Sequence, residues 1–340
     1  RIHRNKQELG RIDISLTQEN GAWWLHVQDN GIGMSHYVLT DVLLDFGRSL
    51  WRDSALREQW PGLARKGFEA VGRFGIGFFS VFMLGDEVKV TTWRDGDAET
   101  DQRTLHLRRR TNAKPILLCT PAEQQISEFG TRVSVCLKNG RASLLKNIPE
   151  GGSINFFTNQ APTQEMTLAQ TVGVLAPALD IDVWCQDGAE KKTRVIQADA
   201  WQKMAPLELL RRLAPIYSEE DLRRNAENFH DIIEADGALV GRASLAHSSI
   251  GGFGVDVGAL VHKGIAIGRW NRSGILLSGN NVDLARSLAQ PICSAHALES
   301  WAETIFSQKK YKDSIGLTNE FLSLGSPLWK LPMAMLAEEY

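Results

Sequence analysis

Apolar and polar positions alternate along residues 11–18 (RIDISLTQ), placing Ile12, Ile14 and Leu16 on one face. That period of two predicts a half-buried strand. Asn20-Gly21 follows as a hairpin turn signal, because both residues tolerate positive φ. The return strand runs from Ala22 to Asp29, with Trp23, Leu25 and Val27 alternating. The period then changes. Val38, Leu39, Val42, Leu43 and Phe46 form one helical stripe, opened by Ser35 as N-cap and closed by Gly47. Residues 47–71 mix glycine, proline and both signs of charge and read as a long mobile loop. An apolar helix is predicted around 77–84, and strands at 86–93, near 103–109 and at 130–138.

The pattern breaks at residues 139–153 (NGRASLLKNIPEGGS), which sets the expected boundary between a first domain, 1–140, and a second, 141–340. The second half carries a strand-like stretch near 181–185 and helices near 206–213 and 218–228. The latter opens on Ser218-x-x-Asp221, close to a capping box. A glycine-spaced apolar stretch occupies 250–267, and an amphipathic helix near 295–307 presents Leu298, Trp301 and Ile305. The fold class expected is α+β.

A formal net charge of −2 over 340 residues gives no bulk attraction for a polyanion, so nucleic acid is not expected as a partner. No apolar run reaches the ~20 residues that span a bilayer, and the first ten residues (RIHRNKQELG) have no apolar signal core. A cytoplasmic protein without a membrane partner is expected. The four cysteines, Cys119, Cys136, Cys185 and Cys293, are far apart with no CxxC pair, and read as reduced, buried thiols. The histidines are scattered, and no metal cage is read from them.

The candidate chemistry lies in two glycine clusters. Asp29-Asn30-Gly31-Ile32-Gly33-Met34 ends a strand, and Gly72-Arg73-Phe74-Gly75-Ile76-Gly77-Phe78-Phe79-Ser80 begins a helix. The lysine phosphate loop GxxxxGK[ST] is absent, and the second cluster reads GxxGxG after a loop rather than the GxGxxG of a dinucleotide fingerprint. A carboxylate at a strand end can accept a hydrogen bond from an amino group such as adenine's. Glycines after it let the backbone approach a flat ring, and free N–H groups at a helix start attract phosphate. The stretch between the clusters can fold over a nucleotide as a lid.

Residues 11–138 resemble the ATP-binding domain of the GHKL superfamily, closest to the heat shock protein 90 family. Asp29–Met34 is similar to that family's DxGxGM adenine site, Gly72–Ser80 to its G-x-F-G-x-G-F-x-S phosphate segment, and 130–138 (GTRVSVCLK) to its GTxVxxxLK strand. The resemblance implies a GHKL-type α/β sandwich in which Asp29 accepts the adenine amino group and Gly31, Gly33, Met34 and Thr131 line the base pocket. Gly72, Gly75, Ile76, Gly77 and Phe78 would form the phosphate segment, with N–H groups of Gly75, Gly77 and Phe78 on the phosphates. Ser49, in Phe46-Gly47-Arg48-Ser49, is similar to the family's lid start. Arg48, Arg52, Arg65 and Lys66 would either approach the phosphates or stay as solvated loop charges.

The second half resembles the chaperones' middle domain. Asp283–Gln290 (DLARSLAQ) matches the family's NLSRExLQ segment at Leu, Arg and Gln, and differs at Asn, Ser and Glu. The preceding Gly274–Asn280 resembles that family's upstream strand and turn. By this resemblance Arg286 reaches the γ-phosphate as an arginine finger, with Gln290 beside it. The family's first helix carries a glutamate and an Mg²⁺-binding asparagine spaced E-x-x-x-N. Nothing before strand 11–18 fits, so that helix is expected upstream of residue 1. No metal ligand is assigned within the chain.

Two functions are compatible with these motifs. One is an ATP-hydrolysing, chaperone-like clamp that uses ATP, ADP and Mg²⁺, works within a homodimer or with a partner subunit, and acts on a client protein. The other is an ATP switch or scaffold of the MutL, gyrase or defence-system kind, with slow or absent hydrolysis. Those clamps use lysine where the chaperones use arginine.

Overall fold

A computed structural model describes residues 10–45, 47, 77–109, 114–147, 164–244, 257–270, 272–279 and 292–307. The chain divides into two compact units, one of Arg1–Thr171 with Ile181–Ala198, the other of Val172–Asp180 with Asp199–Tyr340. Both are mixed α and β, the class expected.

In the first unit the strands are β1 (Arg11–Glu19), β2 (Ala22–Asp29), β3 (Glu87–Trp93), β4 (Arg103–Arg108), β5 (Ile116–Cys119) and β6 (Gly130–Cys136). A short helix α1 (Gly140–Leu145) and the small pair β7 (Lys146–Asn147) and β8 (Gln164–Glu165) follow. The eight-stranded sheet runs β10-β9-β1-β2-β6-β3-β4-β5. Its last two members, β9 (Asp182–Asp187) and β10 (Thr193–Ile196), come from beyond the expected boundary near residue 140. β9 lies parallel to β1, with Arg11 opposite Asp182 and Leu16 opposite Asp187. Sequence alone assigns 181–185 to the second half, but its inward residues Val183 and Cys185, 1% and 4% exposed, are buried in the first.

Alternation splits this sheet into two chemically distinct faces. One face carries Val88, Val90, Leu105, Leu107 and Val135, packed with Leu39 and bordered by Met34, Phe78, Val81 and Phe82. Each such side chain removed from water contributes about 1.5–3 kcal/mol. The predicted helix over this face forms as a wide turn, Val38–Val42, in which the Leu43 N–H donates to the Val38 carbonyl at 2.9 Å. Ser35 Oγ accepts from the Val38 N–H at 3.3 Å, as a capping residue does. Phe46 of the predicted stripe lies outside the described residues. Gly77–Met83, expected as an α-helix, is a tighter 3₁₀ segment.

The opposite face is polar, with Asp13, Ser15, His26, Lys89, Arg132 and Ser134 among the lining of a cavity of about 310 Å³. His26 bridges strands there: one ring nitrogen is 2.8 Å from Thr17 Oγ1 and the other 2.8 Å from Ser134 Oγ. Burial, then the nearby Arg132 charge, hold its pKa below the usual imidazole range.

The second unit is built on five strands, β11 (His230–Ile233), β12 (Leu239–Ser244), β13 (Gly258–His262), β14 (Ile265–Trp270) and β15 (Ser273–Leu277), ordered β11-β12-β15-β13-β14. Of its helices, α2 (Leu168–Leu175) begins in the first unit, and α3 (Pro206–Leu213), α4 (Glu219–Ala226) and α5 (Ala295–Phe306) complete the set described. Trp301 and Ile305 of α5 are buried against Ile232, Val240, Ala243 and Leu276. Leu298 packs at the border of this cluster. A second cluster joins Trp201, Met204 and Leu209 to Ala259, Val261 and Ile275.

The Ser218 cap on α4 forms: its Oγ accepts from the Asp221 N–H at 3.1 Å. Ser218→Ala is therefore expected to lower stability by about 1 kcal/mol, read as a shift of the urea midpoint at unchanged slope. The expectation of uniformly buried thiols is corrected. Cys185 is buried, Cys136 and Cys293 are partly covered, and Cys119 is exposed. Cys119 ends β5, the edge strand of the sheet among the described residues. No described helix is long and apolar enough to cross a membrane.

Candidate functional site

The site begins where three adjacent strands end together. Asp29, the last residue of β2, is paired across the ladder with Thr131 near the start of β6, and Thr131 in turn with Thr92 on β3. All three share the sheet face that carries the apolar cluster, because Asp29 is in phase with Val27, Thr131 with Val133 and Thr92 with Val90. Thr92 and Thr131 are 3% and 6% exposed, so a polar row replaces the apolar core at this end of the sheet.

The chain then turns over that row. Asn30 fastens its start: its Oδ1 accepts from the Arg11 N–H at 2.7 Å and its own N–H donates to the Arg11 carbonyl at 3.2 Å. Gly31 donates its N–H to Asp29 Oδ1 at 2.8 Å, closing a local turn. Gly33 sits at φ +65°. A Cβ placed there would come 2.2 Å from the Trp93 carbonyl oxygen, so the loop lies on the end of β3 as only glycine permits. Met34 completes the anchoring by donating its N–H to Thr92 Oγ1 at 2.8 Å, and the Asp95 N–H reaches the Ile32 carbonyl at 2.9 Å.

The electrostatics follow from burial. Desolvation pushes the Asp29 pKa up, opposed by N–H groups of Gly31, Thr131 and Asp29 itself. An ionised carboxylate accepts at two oxygens, each with two lone-pair directions. The Gly31 N–H occupies one direction on Oδ1. A carboxylate of this kind beside a threonine hydroxyl suits an amino group attached to a flat ring.

The structure thus brings Asp29, Gly31, Gly33, Met34 and Thr131 to one place. Phe78 packs with Met34 on the same apolar cluster, and Gly77 opens the segment that carries Phe78. Ser49, Gly72, Gly75, Ile76, Arg286 and Gln290 lie outside the described residues, as do the lid cations Arg48, Arg52, Arg65 and Lys66. Sequence reasoning missed Thr92, Asn30, Trp93 and Gly130. A signal for Thr92 was present: in VKVTTW the inward positions read Val88, Val90, Thr92, a polar residue in apolar phase. Among the described residues no group of three or more His, Cys, Asp or Glu is placed to hold a metal ion.

Residues 7–135 match the family of histidine kinase-, DNA gyrase B- and HSP90-like ATPases. This stretch is a GHKL-type domain, and it is similar to that of the heat shock protein 90 family. The chain is similar to the chaperone protein HtpG of Chromobacterium violaceum, 27% identical over 148 residues, which cover 44% of this chain and 22% of the relative. The HtpG of Nitrobacter hamburgensis is 35% identical over 132 residues, 37% of this chain and 20% of the relative. That of Rhodococcus jostii is 39% identical over 98 residues, 29% and 15% of the two chains. The chain thus spans about a fifth or less of the length of these relatives.

Proposed function

We propose that the first unit binds ATP, with Asp29 accepting the adenine amino group and Gly31, Gly33, Met34 and Thr131 around the base. The observation that carries this reading is the Asp29 carboxylate, set beside the Thr131 hydroxyl at the end of the sheet and keeping acceptor capacity after bonding Gly31. The donor set fits the group: an acceptor for the amino group, a hydroxyl for the ring edge, and glycine backbone where the ring must come close. The phosphates would lie along Gly72, Gly75, Ile76, Gly77 and Phe78, under a lid that includes Ser49.

The activity proposed for the protein is a chaperone-like ATP cycle. The similarity to chaperone proteins named HtpG supports it, as does the DLARSLAQ segment in the second half. Bound ATP would close the lid. Arg286 and Gln290 of a middle-domain-like second unit would approach the γ-phosphate, and hydrolysis would reset the clamp. Mg²⁺, when bound with ATP, would neutralise phosphate charge. A client protein and a second copy of the chain are the partners this cycle implies.

A second reading is a GHKL switch or scaffold that binds ATP without efficient turnover. It is kept because the matching family includes gyrase-B-like as well as HSP90-like ATPases. Arg286→Ala separates the two, since the chaperone-like cycle predicts lost turnover with retained ATP binding, measured by phosphate release and calorimetry. Unchanged turnover would remove Arg286 from the mechanism. Binding itself is tested by calorimetric titration of ATP with Mg²⁺, and a folded protein that takes up no ATP would refute the base site.

A further inference from the structure

We propose that Thr92 is a positioning residue for the nucleotide base, holding the adenine loop and orienting the Thr131 hydroxyl so that the site prefers adenine to guanine. The proposal rests on the reading of Asp29 and Thr131 as base-contacting residues. It adds a residue that sequence motifs do not mark.

Thr92 Oγ1 has three polar neighbours: the Met34 N–H at 2.8 Å, the Gly130 carbonyl at 3.1 Å and Thr131 Oγ1 at 3.2 Å. A hydroxyl has one proton and two acceptor lone pairs. The Met34 N–H takes one lone pair, which fixes the loop to β3. The single proton goes to the Gly130 carbonyl, which can only accept. The contact with Thr131 is then satisfied by Thr131 donating to Thr92, and Thr131 turns lone pairs toward the base.

This arrangement fixes the Thr131 hydroxyl oxygen as an acceptor beside the Asp29 carboxylate. Adenine presents an amino donor beside the acceptor N1, whereas guanine presents the acceptor O6 beside an N1–H donor. An ionised Asp29 accepts from the amino group and repels O6. A Thr131 oxygen held as an acceptor beside it suits the second amino hydrogen and repels O6 as well. Thr92 is 3% exposed, so no water replaces its hydroxyl freely. A valine in its place keeps the shape while stranding the Met34 N–H and releasing Thr131 to rotate. Polar groups left without partners are what a site built on hydrogen bonds discriminates by.

The test compares ATP and GTP, each displacing a fluorescent ATP analogue, on the wild-type protein, Thr92→Val and Thr92→Ser. Thr92→Val is expected to bind ATP about tenfold more weakly, the loss of one hydrogen bond, and to lose a similar part of its preference for ATP over GTP. Thr92→Ser is expected to restore both. A mere loss of stability would weaken the two nucleotides together and leave their ratio unchanged. If Thr92→Val does not melt cooperatively, Thr92→Ala is read in its place. A hydroxyl-free variant with the wild-type ratio, or a serine variant that fails to rescue it, would overturn the proposal. A folded wild-type protein that binds neither nucleotide would instead overturn the base-site reading, and Thr92's role with it.

Discussion

Asp29→Asn is expected to weaken ATP binding by about 100-fold, roughly 2.7 kcal/mol, while leaving the unliganded protein as stable as before or more so. Two effects act on the ligand. A hydrogen bond to a charged acceptor becomes one to a neutral group. The polarity also reverses: the Gly31 N–H, 2.8 Å from Asp29 Oδ1, keeps the new amide oxygen on its own side. The amide NH₂ then faces the adenine amino group, donor against donor. Stability moves the other way. Burial raises the Asp29 pKa in the folded protein. A raised carboxylate pKa favours the folded state at low pH, and that contribution is lost as pH rises through the folded value. At neutral pH the ionised Asp29 therefore costs stability, and a neutral asparagine removes the cost. Thermal melts with and without ATP read both signs. At ATP a hundredfold above the wild-type Kd, the ligand stabilises the wild-type protein by about 2.7 kcal/mol and the variant by about 0.4 kcal/mol. A variant that melts early without ligand would show that Asp29 is structural, and the loss of binding would then say nothing about the base.

The part of this site legible in the sequence is the part written with local periodicity. Ile12, Ile14 and Leu16, then Leu25 and Val27, mark two strands joined by Asn20-Gly21, whose φ values of 49° and 79° are those of the predicted turn. That hairpin alone puts Asp29 at a strand end. The strands at 87–93, 103–108 and 130–136 were also readable, because each alternates or carries a β-branched run. What could not be read depends on partners far away in sequence. β9 and β10 enter the first sheet by a parallel pairing with β1 across about 170 residues, and no turn signal announces such a pairing. The same holds for the polar row at the sheet's end: Thr92 and Thr131 are adjacent only because β3 and β6 are neighbours. Cys119 was misread for a related reason. A cysteine's burial depends on whether its strand is central or at an edge, and edge status belongs to the sheet order, not to the segment.

Gly130 shows how the same geometry makes a glycine outside the two glycine clusters indispensable. Gly130→Ala is expected to destabilise the protein by about 3–5 kcal/mol, the sum of a strained backbone and a displaced neighbour. Gly130 has φ +143°, a conformation that L side chains rarely adopt. A Cβ there would lie 2.0 Å from the Asp29 carbonyl oxygen and 3.1 Å from the Asn30 Cα. Both are backbone atoms at the point where β2 turns into the glycine loop, so no side chain can rotate away to make room. The clash would have to be relieved by opening β2 from β6, which separates Asp29 from Thr131 across the ladder. It would also move the Gly130 carbonyl, 3.1 Å from Thr92 Oγ1. Denaturant titration measures the cost, and ATP titration of whatever remains folded measures the site. A loss of stability below about 1 kcal/mol would mean that the sheet end yields easily. In that case the close fit of β2, β3 and β6 could not be what holds the carboxylate and the two threonines in place.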